Sequence, residues 1–126
     1  MKKISITAGS IKLEAQLNDS KTAQAIWDAL PLEARGNRWG DEIYFSIPVK
    51  LGTENAQEEV EVGDLAYWPP GTAFCLFFGP TPASVGPKPQ AASPVNVFGS
   101  IQGDATVLAQ VPNGGKVKIE RLSDEA

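Results

Sequence analysis

The sequence predicts a mainly β fold, seven or eight short strands closed or nearly closed into a barrel, with one main α-helix at about residues 20–30. Three observations carry this expectation. Apolar and polar residues alternate in short segments along most of the chain, the period of a half-buried strand. One segment alone changes to helical period. Glycine, proline and asparagine punctuate the segments, and a sheet of many short strands avoids exposed edges by closing on itself. The chain has 126 residues with 42% hydrophobic and 21% charged side chains, so a single domain over residues 1–126 with one core is expected.

The elements follow in order. "KISITAG" and "IKLEAQL" place Ile4 and Ile6, then Ile11, Leu13, Ala15 and Leu17, on single faces around a turn at Ala8, Gly9 and Ser10, which predicts an opening hairpin. In "NDSKTAQAIWDALP" Ala23, Ile26, Trp27 and Leu30 recur at i, i+3, i+4, i+7, with Asp19 or Ser20 as N-cap and Pro31 as the stop. "EIYFSIPV" alternates again, Ile43, Phe45 and Ile47 against Tyr44 and Ser46, and Pro48 should end its pairing. An acidic stretch follows, with Glu54, Glu58, Glu59, Glu61 and Asp64 around a short "VEV" strand. "LAYW" and "AFCLFFG" read as strands divided by Pro69, Pro70 and Gly71, the second apolar on both faces and therefore central. "PTPASVGPKPQAASP" reads as a long loop, and "VNVFGSI", "ATVLAQV" and "KVKIERL" as closing strands, the last two joined at Asn113, Gly114 and Gly115.

Composition excludes several classes of function. A formal net charge of −4 without a basic cluster argues against nucleic acid and anionic lipid. The long uncharged stretch at residues 65–87 is broken by prolines, so no membrane span is expected. The amino terminus alternates where a signal peptide would be apolar, and the one cysteine permits no internal disulfide. A cytoplasmic location is expected. With no histidine in the chain, Ser/His catalysis and histidine-metal chemistry are excluded. The acids at residues 54–64 lack the spacing of metal ligands and read as a solvated loop, so neither a metal nor a cofactor is expected.

Candidate binding residues are aromatic. Trp39, Tyr44 and Trp68 could wall a ligand or plug a barrel end, whereas Trp27 falls on the apolar face of the helix and reads as core. Arg38 is a weak catalytic candidate: its fork of donors could reach a carbonyl or carboxylate, or it could stack on Trp39 or pair with Asp41 or Glu42. Cys75, without a neighbouring cation, reads as a buried inert thiol.

Laid end to end, "KTAQAIWDALP", "GDLAYW", "LFFGPTP", "VNVFGSIQGDATVLAQV" and "GGKVKIERL" resemble a cyclophilin, the peptidyl-prolyl isomerase barrel. "RWGDEIYF", "GDLAYWPPG" and "SPVNVFG" resemble the hallmarks of a small bacterial and archaeal cyclophilin-like family. The resemblance implies a closed eight-stranded barrel with an apolar groove on its outside. It implies too that Phe78 is the pocket phenylalanine while Phe77 points into the barrel.

The family's chemistry does not follow from the fold. Twisting a peptide bond faces a barrier of about 18–20 kcal/mol, and a true cyclophilin aims an arginine at the twisted prolyl unit. Collinear placement brings that position near Ser46, where no arginine stands, and loss of one such donor costs on the order of 10²–10³ in rate. The expectation is a barrel that binds a small molecule or short peptide in a groove of Tyr44, Trp68, Phe74 and Phe78, with Arg38 as polar anchor, and lacks efficient prolyl isomerisation. The alternatives are a divergent isomerase, and an interaction module like the related barrels found in enzymes of cyclic amides or urea derivatives. Oligomeric state is left open.

Overall fold

The computed structural model describes residues 2–124; residues 1, 125 and 126 of the expected domain lie outside the described residues. Ten strands form one antiparallel system: β1 (Lys2–Ala8), β2 (Ile11–Leu17), β3 (Leu32–Arg35), β4 (Asn37–Arg38), β5 (Glu42–Ser46), β6 (Gln57–Glu59), β7 (Asp64–Trp68), β8 (Ala73–Phe77), β9 (Gln90–Gln102) and β10 (Lys116–Asp124). Their order is β3-β10-β1-β2-β9-β7-β8-β5-β4, with β6 added to β9. The fold is mainly β with one main helix, α1 (Lys21–Ala29).

The opening hairpin forms as the alternation requires, Gly9 taking φ +64° in the turn between Ala8 and Ile11. Ser20 caps α1, its Oγ accepting from the Ala23 amide at 3.0 Å. Ala23, Ile26 and Leu30 carry the helix onto the main core. Trp27 is half-buried against that core, with the Arg121 guanidinium 5.2 Å from its ring. The main core lies on the inner face of the sheet, where Ile4, Ile6, Phe45, Tyr67, Phe74, Leu76, Phe98 and Ile119 meet.

The expected eight-stranded closed cylinder differs from the observed sheet, which has ten strands and no hydrogen-bonded ladder between its end strands, β3 and β4. These ends are neighbours in the chain, separated by Gly36. At that residue the chain leaves the ladder with β10 and joins the one with β5. A Cβ on Gly36 would stand 2.6 Å from Ile43 Cγ2, so the crossing is too close for any side chain.

Three other segments depart from expectation. "ATVLAQV" is a 3₁₀ turn over Ala105–Gln110, not a strand. Asp104 accepts from the Thr106 amide at 3.0 Å, and the buried residues Ala105, Leu108 and Val111 recur every third position, the 3₁₀ period. The loop expected up to residue 94 ends earlier, because β9 begins at Gln90 and folds over the outer face of the sheet. The short acidic strand is Gln57–Glu59, pairing irregularly with this part of β9, and not "VEV". Among the acids, Glu54 does more than solvate a loop: its carboxylate accepts from the Lys21 and Thr22 amides at 3.0 and 2.9 Å and from the Thr22 hydroxyl at 2.7 Å. It caps the helix a second time, and those bonds hold its carboxyl below the usual range.

Strand β8 is apolar on both faces, as expected of a central strand, but its orientation is the reverse of that implied by the resemblance. Phe74 and Phe78 belong to the inner cluster, and Phe77 lies on the outer face with Val60, Ala66, Ala73, Cys75, Ala91 and Val95. Register decides this. Phe74 pairs with Phe45 of β5 and Tyr67 of β7, both inward, and the alternation of a strand then sends Ala73, Cys75 and Phe77 outward.

Candidate functional site

The outer face of β9, β7, β8 and β5 builds the site. Register lines up Val97, Ala66, Cys75 and Tyr44 in one row across these strands, with Trp68, Ala73 and Ser46 in another. The central side chains, Ala66, Ala73 and Cys75, are small, so they pave a floor and leave space above it. The start of β9 passes over this floor and places Ala91, Ala92 and Val95 opposite. Between the two layers is a cavity of about 220 Å³, open to solvent and lined by Trp39, Glu42, Tyr44, Trp68, Ala91, Ala92 and Val95.

Trp68 is held at both ends. Its indole Nε1 donates to Ser93 Oγ at 2.7 Å. Its ring lies so close to the turn after β7 that a Cβ on Gly71 would stand 2.7 Å from two ring carbons, leaving room there for glycine only.

Glu42 is the ionisable residue that this arrangement isolates. It begins β5, on the same face as Tyr44, and is 6% exposed. Among the described residues no cation and no N–H donor meets its carboxylate; the Cys75 thiol, a weak donor that bonds the Ala73 carbonyl at 3.9 Å, lies beside it. Burial pushes the Glu42 carboxyl from its ordinary 4.5 up to about 7, against the smaller opposing effect of that thiol contact. Burial, and then the neighbouring carboxylate, push the Cys75 thiol well above its ordinary value. The thiol is 1% exposed and protonated, so it is no nucleophile.

Of the residues expected in a groove, Tyr44 and Trp68 line the cavity together and Trp39 joins them. Phe74 and Phe78, 0% and 3% exposed, lie on the opposite face of the strand in the inner core. Arg38 is also elsewhere. Its guanidinium sits 5.0 Å from the Phe78 ring, pairs with Asp41 at 3.5 Å and donates to the carbonyls of Gly40, Ala109 and Val111 at 3.1, 3.2 and 2.8 Å. Those bonds tie β4 to the 3₁₀ turn. Ser46 Oγ donates to the Gly71 carbonyl at 3.0 Å, and no lining residue of the cavity is basic.

Sequence reasoning did not single out Glu42 as a site residue, although a signal existed. In "EIYF" the alternation that sends Ile43 and Phe45 inward puts Glu42 beside Tyr44. The cavity it lines is completed by Ala91, Ala92 and Val95 of β9, about fifty residues further along the chain, and no local pattern reveals that.

An antiparallel sheet with its main core on the inner face, a single capped helix and an apolar hollow outside make up the architecture. The family model of cyclophilin-like proteins matches residues 2–120, and the chain belongs to this family. It is similar to the hypothetical protein AF2241 from Archaeoglobus fulgidus, whose solution structure has 43% sequence identity and a TM-score of 0.80 over 96% of this chain and 95% of that one. No curated protein matches the chain. Among the described residues no helix is long and apolar enough to cross a membrane.

Proposed function

We propose that this protein binds a small molecule, or the side chain of a short peptide, in the outer-face hollow walled by Trp39, Tyr44 and Trp68, and does not efficiently isomerise prolyl bonds. One observation carries the reading: three half-buried aromatic side chains converge with a buried carboxyl on a cavity whose floor is kept low by small residues. Apolar walls with a few placed polar groups are what small ligand sites share. In this reading β3 and β4 act as one strand bent at Gly36, so that the sheet behaves mechanically as a closed cylinder and holds the hollow rigid. The buried free thiol of Cys75 fits a reducing, cytoplasmic setting.

The expected weakness in isomerisation follows from the guanidinium. Arg38 is occupied by three carbonyls and Asp41, and releasing it would uncover Phe78. Exchange spectroscopy on a short Xaa-Pro peptide tests this. Cis/trans exchange within a few-fold of the uncatalysed rate is expected, and acceleration of about 100-fold or more would overturn the reading in favour of a divergent isomerase.

A further inference from the structure

We infer that the ligand of the hollow is an organic cation, a small ammonium compound whose charged head meets Glu42 and whose apolar body lies among Trp39, Tyr44 and Trp68. The inference rests on the reading of the hollow as a binding site and adds the chemistry of what fills it.

Glu42 supplies the first argument. Several other acids have a partner: Asp41 has Arg38, Glu33 has Lys116, Glu61 has Lys88, Glu120 has Lys118, and Glu54 has the amino end of α1. Those partners neutralise charges that are largely in water already. Glu42, the buried acid, is met by neither a cation nor an N–H donor among the described residues, and its side chain lines the cavity. A carboxylate taken out of water is costly unless paired. A cation entering the cavity supplies the pairing.

The walls supply the second argument. Aromatic faces attract cations, most strongly where water is excluded, and Trp39, Tyr44 and Trp68 line the same cavity as the carboxyl. An anion would meet Glu42 as a like charge. A neutral apolar ligand would cover the carboxyl and leave uptake of a proton as its only means of neutralisation. An ammonium group on an apolar body satisfies both halves of the lining, and a cavity of about 220 Å³ suits a small one. The net charge of −4 favours its approach.

The titratable groups around Glu42 are few. Asp41 precedes it and pairs with Arg38. Tyr44 follows on its own strand, β8 contributes the Cys75 thiol, and the covering residues of β9 contribute none. Pairing with a cation draws the Glu42 carboxyl downward, so binding near neutrality releases protons. Affinity for the cation therefore rises with pH through the range in which Glu42 ionises.

The three tryptophans make the test direct, because their indole N–H signals are separately observable and Trp27 lies away from the hollow as an internal control. The probes are benzylammonium, benzyl alcohol and benzoate, titrated at pH 8 and pH 5 into the wild-type protein and Glu42→Gln. Benzylammonium is expected to shift the Trp39 and Trp68 signals, leave Trp27 in place, and bind about tenfold or more tightly than benzyl alcohol at pH 8. That preference should shrink towards unity at pH 5 and in Glu42→Gln. Benzyl alcohol or benzoate binding the hollow as tightly as benzylammonium at pH 8 would overturn the inference while leaving the hollow a binding site. Failure of all three probes to move Trp39 and Trp68 would overturn both.

Discussion

Glu42→Gln stabilises the protein at pH 8, by on the order of 3 kcal/mol, while changing little at pH 4. The free carboxyl titrates near 4.5 when the chain is unfolded and near 7 when it is folded, so between these values the folded state holds the extra proton. Stability therefore falls as pH rises from about 4.5 to about 7. Below that window Glu42 is neutral in both states and contributes no penalty; above it the whole penalty is present. A displacement of this size corresponds to roughly 3 kcal/mol at about 1.4 kcal/mol per pH unit. Glutamine keeps the shape without the charge. For a domain of this length the gain is about 10 °C in Tm. Thermal melts of the two proteins from pH 4 to pH 9 read this directly, since the difference between them removes the contribution of every other titrating group. A constant difference across the range would mean that Glu42 is not desolvated.

Phe74→Ala destabilises the protein by about 3–5 kcal/mol, an effect that belongs to the core and not to a ligand groove. Phe74 is 0% exposed. Its ring stacks on Phe45 at 5.2 Å and 10° between planes and meets Phe98 edge-on at 5.1 Å and 76°. Truncation loses its burial, leaves a void between two rings that cannot both move in, and removes two aromatic pairs that add about 0.5–1.5 kcal/mol each. Since small domains are stable by only about 5–15 kcal/mol, the loss brings this one close to unfolding. Urea denaturation measures it. A cost below about 1 kcal/mol, the usual range for an exposed side chain, would place Phe74 on the outside after all. The gentler Phe74→Leu keeps most of the volume, and its affinity for a ligand in the hollow should match the wild type.

The two residues show where sequence pattern speaks and where it stops. Alternation revealed the hairpin of β1 and β2 and the strand β5, because those strands have one polar face. The helix was legible down to its Ser20 cap, since a change of period and a capping side chain are both local. Strand β8 was not legible in orientation. Its outer face is covered by Val60 and the start of β9, so both faces are apolar, period two disappears, and Phe77 and Phe78 look alike. The turn at Ala105–Gln110 was misread for a related reason: "ATVLAQV" contains both an alternating and an every-third apolar pattern, and Asp104 beside Thr106 was the cue that separates them. Trp39, Tyr44 and Trp68 were recognisable as candidates from residue type alone. Their assembly with Glu42 in one cavity depends on Gln90–Gln102 crossing the sheet, a long-range event in a segment whose prolines read as loop.

The proposed site depends above all on a largely buried carboxyl group that no cation among the described residues meets. Carbon-13 NMR titration of the Glu42 side-chain carboxyl, assigned by its loss in Glu42→Gln, measures that state directly. A midpoint at about 7, moving downward when benzylammonium is added, is the expected result. A midpoint at the ordinary 4.5, unmoved by the probe, would show a hydrated or already paired carboxylate and contradict the account.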